Sequence, residues 1–124
     1  MNSKLIMAAS AIVLGIAALV FTFLPEEIVG FLGLEMGNTI ILQILGALYF
    51  GFAMVNWMGK SNVIGGIYGK PVALGNFSHF AIAEIALAKW EMRNQVYGGM
   101  AILTGIYLIF AILFGLILFG KLLK

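Results

Sequence analysis

The sequence predicts an all-α membrane protein: a four-transmembrane-helix up-down bundle with a short interfacial helix between spans one and two. Three observations predict it. Of the 124 residues, 63% are hydrophobic and 10% charged, whereas soluble domains run at about 45–50% and about 25%. The charges leave three long gaps, with 21 uncharged residues between Lys4 and Glu26, 24 between Glu35 and Lys60, and 27 between Arg93 and Lys121. A mostly apolar run of about 18 residues or more is enough for a spanning helix. Finally, the turn formers, Pro25 and the glycine-rich passage from Gly59 to Pro71, fall between the apolar runs. The chain, residues 1–124, reads as one transmembrane domain.

The first span is expected at about 5–24. Its lead-in, Met-Asn-Ser-Lys, resembles a signal-peptide start, but the apolar part exceeds the usual length of roughly 7–15 residues, so an uncleaved span is expected. Pro25 ends that helix and starts another, with Glu26 and Glu27 in its first turn, where carboxylates suit the helix dipole. Ile28, Val29, Phe31, Leu32 and Leu34 then give an interfacial helix, closed by Gly33 or Gly37. The second span, about 39–58, ends at Asn56-Trp57, where an interfacial aromatic belongs. The passage Gly59 to Pro71 reads as a structured loop or re-entrant turn. The third span, about 72–90, is the most polar, and a brief loop at about 91–96 leads to the fourth, about 97–119.

Four spans put both termini on one side. Lys4, Lys60, Lys70, Lys121 and Lys124 then share that side, five basic residues against two, Lys89 and Arg93, opposite. The positive-inside rule makes that side cytoplasmic. Small residues four apart (Ala11/Gly15, Ala47/Gly51, Ala101/Gly105, Ala111/Gly115) are expected to let the helices approach closely, while the third span relies on polar side chains instead.

Composition removes several function classes. With no cysteine, disulfides, thiolate nucleophiles and zinc–thiolate or iron–sulfur sites are excluded. A net charge of +2 from scattered residues makes no nucleic-acid footprint. The passage Gly65 to Lys70 has a phosphate loop's glycines, but its spacing is one short and Pro71 stands where Ser or Thr would be needed. One His and a distant Glu do not make a metal centre, and no cofactor is expected.

The candidate site lies on the third span, which carries Asn76, Ser78, His79 and Glu84. At 100° per residue, Asn76, His79 and Glu84 fall within an arc of about 140°. Ionisable groups inside a membrane are costly and usually face protein. A structural reading stands beside the functional one: a neutral imidazole and a protonated carboxylic acid, each hydrogen-bonded to a neighbouring helix, satisfy both groups without a ligand. Gln43, Tyr49 and Asn56 of the second span, with Thr104 and Tyr107 of the fourth, are further interior polar groups. With Asn76, His79 and Glu84 they would line a mostly apolar pocket holding a few placed polar groups.

The stretch from Leu24-Pro25-Glu26 through Gly33-Leu34 to Leu45-Gly46-Ala47-Leu48-Tyr49 resembles a pattern that recurs in small bacterial four-helix membrane proteins of unassigned activity. In these a proline-led interfacial helix joins spans one and two. The resemblance covers about the first half of the chain. It implies the fold and a bacterial inner-membrane location, and transfers no catalytic residue.

The leading expectation is a binding or accessory protein that holds a membrane lipid, a hydrophobic small molecule or a partner helix at the polar face, with homo-oligomerisation open. The alternatives are a proton-coupled transporter using Glu84 or His79, and a membrane enzyme acting on a lipid-like substrate.

Overall fold

The computed structural model describes residues 3–35, 37–60, 69–94 and 98–119. They form five helices: α1 (Ser3–Phe23), α2 (Pro25–Leu32), α3 (Ile40–Gly59), α4 (Gly69–Asn94) and α5 (Gly99–Leu118). Among the described residues, α1, α3, α4 and α5 are each long and apolar enough to cross a membrane. The short helix expected between spans one and two is present as α2. The turn-rich passage read as a structured loop or re-entrant turn lies, for residues 61–68, outside the described residues.

Local chemistry sets the boundaries. Proline disfavours helical geometry in the residue before it, and Leu24 adopts φ −127° and ψ 49° between α1 and α2. The helical ladder nonetheless runs on across the bend, through Leu24 N–H to the Val20 carbonyl and Ile28 N–H to the Leu24 carbonyl. α2 ends in a Schellman closure. Gly33 is left-handed at φ 74°, its N–H donates to the Gly30 carbonyl, and the Leu34 N–H reaches back to Val29. Leu34 and Val29 both pack against the core. α3 opens on Asn38, whose Oδ1 accepts from the Ile40 N–H at 2.9 Å.

The helix that carries the third predicted span, about 72–90, is longer at both ends, since α4 runs from Gly69 to Asn94. Its end was expected at 90 and a loop at 91–96, but α4 continues to Asn94. The segment Glu91-Met92-Arg93 consists of good helix formers, with no Gly or Pro before Gly98, and the Asn94 side chain donates to the Trp90 carbonyl at 2.8 Å. Glu84 therefore sits about 15 Å from the C-terminal end of its helix, farther from that end than in a helix stopping at 90. Within the fourth predicted span, about 97–119, α5 begins at Gly99, after Gly98 with φ 117°.

Two helix pairs make the body. Along α1 and α3, Met7 lies against Gly59, Ser10 bonds Asn56, Gly15 faces Ala53 and Phe21 meets Tyr49 edge-on at 5.2 Å, so α3 is met backward as α1 is followed forward. Between α4 and α5 the seam is aromatic: fully buried Phe80 packs on Tyr107, Phe110 and Phe114 with centroids 5.1–5.7 Å apart. The pairs join along α3 and α4. The outer surface is covered with large apolar side chains such as Ile12, Ile16, Leu48, Ile82 and Ile109, far beyond the apolar patches of soluble monomers.

The small-residue pairs divide. Ala11/Gly15 faces α3, with Ala11 buried and Gly15 facing Ala53, and Gly115 lies under the Phe77 ring. Ala47 and Gly51, expected at a packing face, are both exposed, and nothing lies within 4 Å of where a Gly51 Cβ would be. Gly105 likewise meets nothing. The closest helix approach is at Gly46, where a Cβ would lie 2.5 Å from Thr22 Oγ1 and 3.2 Å from the Ala18 carbonyl oxygen.

Candidate functional site

At mid-height the helices bring together a tyrosine from α3, a tyrosine from α5 and the histidine of α4. Tyr49, Tyr107 and His79 stand about 14, 12 and 15 Å along their helices from Ile40, Gly99 and Gly69. Tyr107 is the shared member: its hydroxyl is hydrogen-bonded to the Tyr49 hydroxyl and, at 2.9 Å, to His79 Nε2. Both tyrosines are buried, at 4% and 5% exposure. Aromatic neighbours hold the imidazole in place. Its centroid lies 4.6 Å from Phe80 and 5.9 Å from Tyr49, both stacked, and 5.4 Å from Phe52. His79 Nδ1 is buried and has no hydrogen-bond partner.

A second polar cluster is closed on itself. Asn56 donates to Ser10 Oγ at 3.0 Å and to Asn76 Oδ1 at 2.8 Å. Asn76 donates to Asn56 Oδ1 at 2.6 Å and to the Val72 carbonyl at 2.9 Å. Ser10 donates to the Met7 carbonyl. An amide side chain has two donor hydrogens, so all four are used, and Asn56, Asn76 and Ser10 are fully buried to within 5%. This cluster fastens α1, α3 and α4 to one another and leaves no amide hydrogen for a ligand.

The other sequence-predicted residues lie apart. Gln43 stands six residues before Tyr49 on α3, in a groove with Thr22 and Gly46. Glu84 is on the far half of α4, where its Oε1, like that of Glu91 seven residues on, is buried without a partner. Thr104 bonds back to the Met100 carbonyl at 2.9 Å, as hydroxyls in helices often do. Among the described residues no group of three or more His, Asp or Glu side chains is placed to hold a metal ion.

Sequence reasoning passed over Ser10 and the cavity. With Thr22, Ser10 is one of two polar side chains between Leu5 and Leu24, and that rarity was the available signal. The cavity, about 310 Å³, lies chiefly between α1 and α5 beneath α2, with Tyr49, Phe80 and Tyr107 contributing its inner wall. Ile16 and Ile102 at its edge are 59% and 57% exposed, so it opens sideways. Among the described residues its lining includes two with polar side chains, Tyr49 and Tyr107, and its surface is almost wholly apolar. The hydrogen-bonded chain thus backs onto an apolar chamber.

Comparison with models of protein families, with curated proteins and with solved structures finds no match to this chain.

Proposed function

We propose that this chain is an integral membrane protein that binds an apolar or amphipathic small molecule or lipid in the cavity between α1 and α5. It stands in the bacterial inner membrane as an up-down bundle with both termini cytoplasmic and α2 lying in the opposite interface. The observation that carries the binding reading is the apolar cavity of about 310 Å³, which has the volume and the predominantly apolar and aromatic lining of small-molecule sites. The five-against-two distribution of Lys and Arg supports the orientation. Trp57 supports an interface at the other end of α3, on the side of the termini: it is 46% exposed there, with the Lys60 ammonium 3.7 Å above its ring.

The test is extraction and mass spectrometry of whatever apolar compound accompanies the purified protein. Wild type and an outer-face control, Ala47→Trp, are expected to carry it, and Ala17→Trp, which fills the cavity, to lose it. Equal occupancy in all three proteins removes the binding reading. Because the chain has no cysteine, single cysteines also report orientation. Glu27→Cys is expected to react with an impermeant maleimide outside the cell, and Lys4→Cys only after permeabilisation.

A proton-coupled transporter is a second reading, favoured by the buried, unpartnered His79 Nδ1 and Glu84 Oε1. Flux through proteoliposomes that does not depend on a proton gradient rejects it.

A further inference from the structure

The long helices pack on three of the bundle's four sides: α1 on α3, α3 on α4 and α4 on α5. The cavity lies along the fourth side, between α1 and α5. Its lining takes in about 12 Å of each of these helices, from Val13 to Phe21 on α1 and from Gly99 to Tyr107 on α5. Ile28, Phe31 and Leu32 of α2 close it at the Gly99 end. A volume of about 310 Å³ spread along about 12 Å is a slot about 26 Å² in section. That is room for one extended alkyl chain in van der Waals contact with its walls, and not for two chains side by side.

We propose that this slot takes a single alkyl chain of a membrane lipid, with the chain inside and the headgroup outside, so that the lipid is recognised by its tail. This rests on the binding reading above and names the chemistry of its ligand.

Three features select that chemistry. The cavity surface is almost wholly apolar, and the two tyrosine hydroxyls behind it are hydrogen-bonded to each other. A headgroup in the slot would lose its solvation with nothing in exchange. Water is excluded on the same ground, since cavities of this kind stay dry and take apolar guests. The second feature is the mouth. Ile16 and Ile102 at its edge are more than half exposed on long apolar helices, so in a bilayer the slot opens towards acyl chains and not towards water. A guest therefore arrives from within the membrane. The third is the depth of the slot, whose wall includes Leu14, Phe80 and Tyr107, side chains no more than 5% exposed. Left empty, the slot forfeits dispersion contacts with that wall, and a flexible chain recovers them.

The test uses the full chain in phosphatidylcholine nanodiscs with three photoactivatable probes. These are hexadecanoic acid carrying a diazirine at mid-chain, a phosphatidylcholine bearing that same chain, and adamantyl diazirine, which is apolar but compact. Peptide mapping after illumination compares Val13 and Ile106 of the cavity with Leu48, Ile82 and Ile109 of the outer surface. Both chain probes are expected to label the cavity residues several-fold above the outer ones, and adamantyl diazirine to show no such preference. Ala17→Trp is expected to lose the cavity label and keep the outer one, while Ala47→Trp keeps both. Equal labelling inside and out by the chain probes means bulk lipid only and overturns the inference. Cavity labelling by adamantyl diazirine in place of the chain probes assigns the cavity to a compact guest, overturning the inference while the binding reading stands. Cavity labelling by the free acid and not by the phosphatidylcholine overturns the placing of the headgroup outside. No cavity label from any probe, with Ala17→Trp changing nothing that co-purifies, removes the binding reading and this inference with it. The wild-type map alone decides the assignment if Ala17→Trp does not fold.

Discussion

Asn56 of α3 and Asn76 of α4 exchange hydrogen bonds in both directions, at 2.8 and 2.6 Å, with neither side chain exposed. Replacing one partner by Leu strands the other's amide among carbon atoms. Interhelical hydrogen bonds in membrane proteins are worth about 0.6–2 kcal/mol, so Asn56→Leu or Asn76→Leu alone is expected to destabilise the protein by about 1–2 kcal/mol. The double substitution leaves no orphaned amide between the two and is expected to cost less than the sum of the singles. Thermal unfolding of all four proteins in one detergent measures the coupling, and simple additivity contradicts it.

That reciprocal pairing also marks where sequence stops being informative. The apolar runs and Pro25 suffice for four long helices and a short one, because hydrocarbon length and proline stereochemistry act locally. The extension of α4 is hard to read because Glu91 and Arg93 look like loop residues by charge, while their helix propensity is good. Asn56, Asn76, Tyr49, Tyr107, His79, Glu84 and Gln43 are all visible as polar residues in apolar spans. Which of them meet depends on helix rotation and depth, set by packing elsewhere, such as Gly46 against Thr22. The sequence therefore names Asn56 and Asn76 as site candidates when the structure occupies them with each other. It leaves Gln43 and Glu84 indistinguishable from His79.

Gly46 and Gly51 sit on the same helix and predict opposite outcomes. A Cβ at Gly46 meets Thr22 Oγ1, the Thr22 nitrogen and the Ala18 carbonyl oxygen, two of them backbone atoms within 3.2 Å. α1 and α3 must then move apart, and overpacking of this kind costs about 1–3 kcal/mol. Gly51→Ala meets nothing within 4 Å and is expected to hold or slightly raise stability, since Ala is the better helix former. Adding Thr22→Ala to Gly46→Ala is expected to restore only part of the loss, because the backbone contacts remain. Melting temperatures compared in the same detergent check all three.

Gly99 is where α2 rests on α5. A Cβ there would collide with the carbonyl oxygen and ring of Phe31, at the C-terminal end of α2. Gly99→Ala is thus expected to lift α2 while leaving the Phe80 seam intact. Hydrogen exchange reads this directly, with faster exchange at the amides of residues 28–32 and little change in 107–114. Uniform acceleration across both segments means that the contact supports the whole fold and not α2 alone.

Tyr107 and Tyr49 differ in rank, although each contributes one hydroxyl to the same chain. The Tyr107 hydroxyl is bonded to both Tyr49 and His79, so Tyr107→Phe breaks two hydrogen bonds and strands buried groups on α3 and α4. Tyr49→Phe breaks one and leaves the 2.9 Å bond between His79 and Tyr107 in place. The rings keep their packing in both variants. With a net value of about 0.5–1.5 kcal/mol per hydrogen bond, Tyr107→Phe is expected to be the more destabilising by about 1 kcal/mol. In the Tyr107→Phe background, adding Tyr49→Phe removes a stranded donor and is expected to cost nothing further, or to recover stability. A full second loss would mean that the Tyr49 hydroxyl finds its main partner somewhere other than Tyr107. Equilibrium unfolding of the two single variants and the double variant decides it.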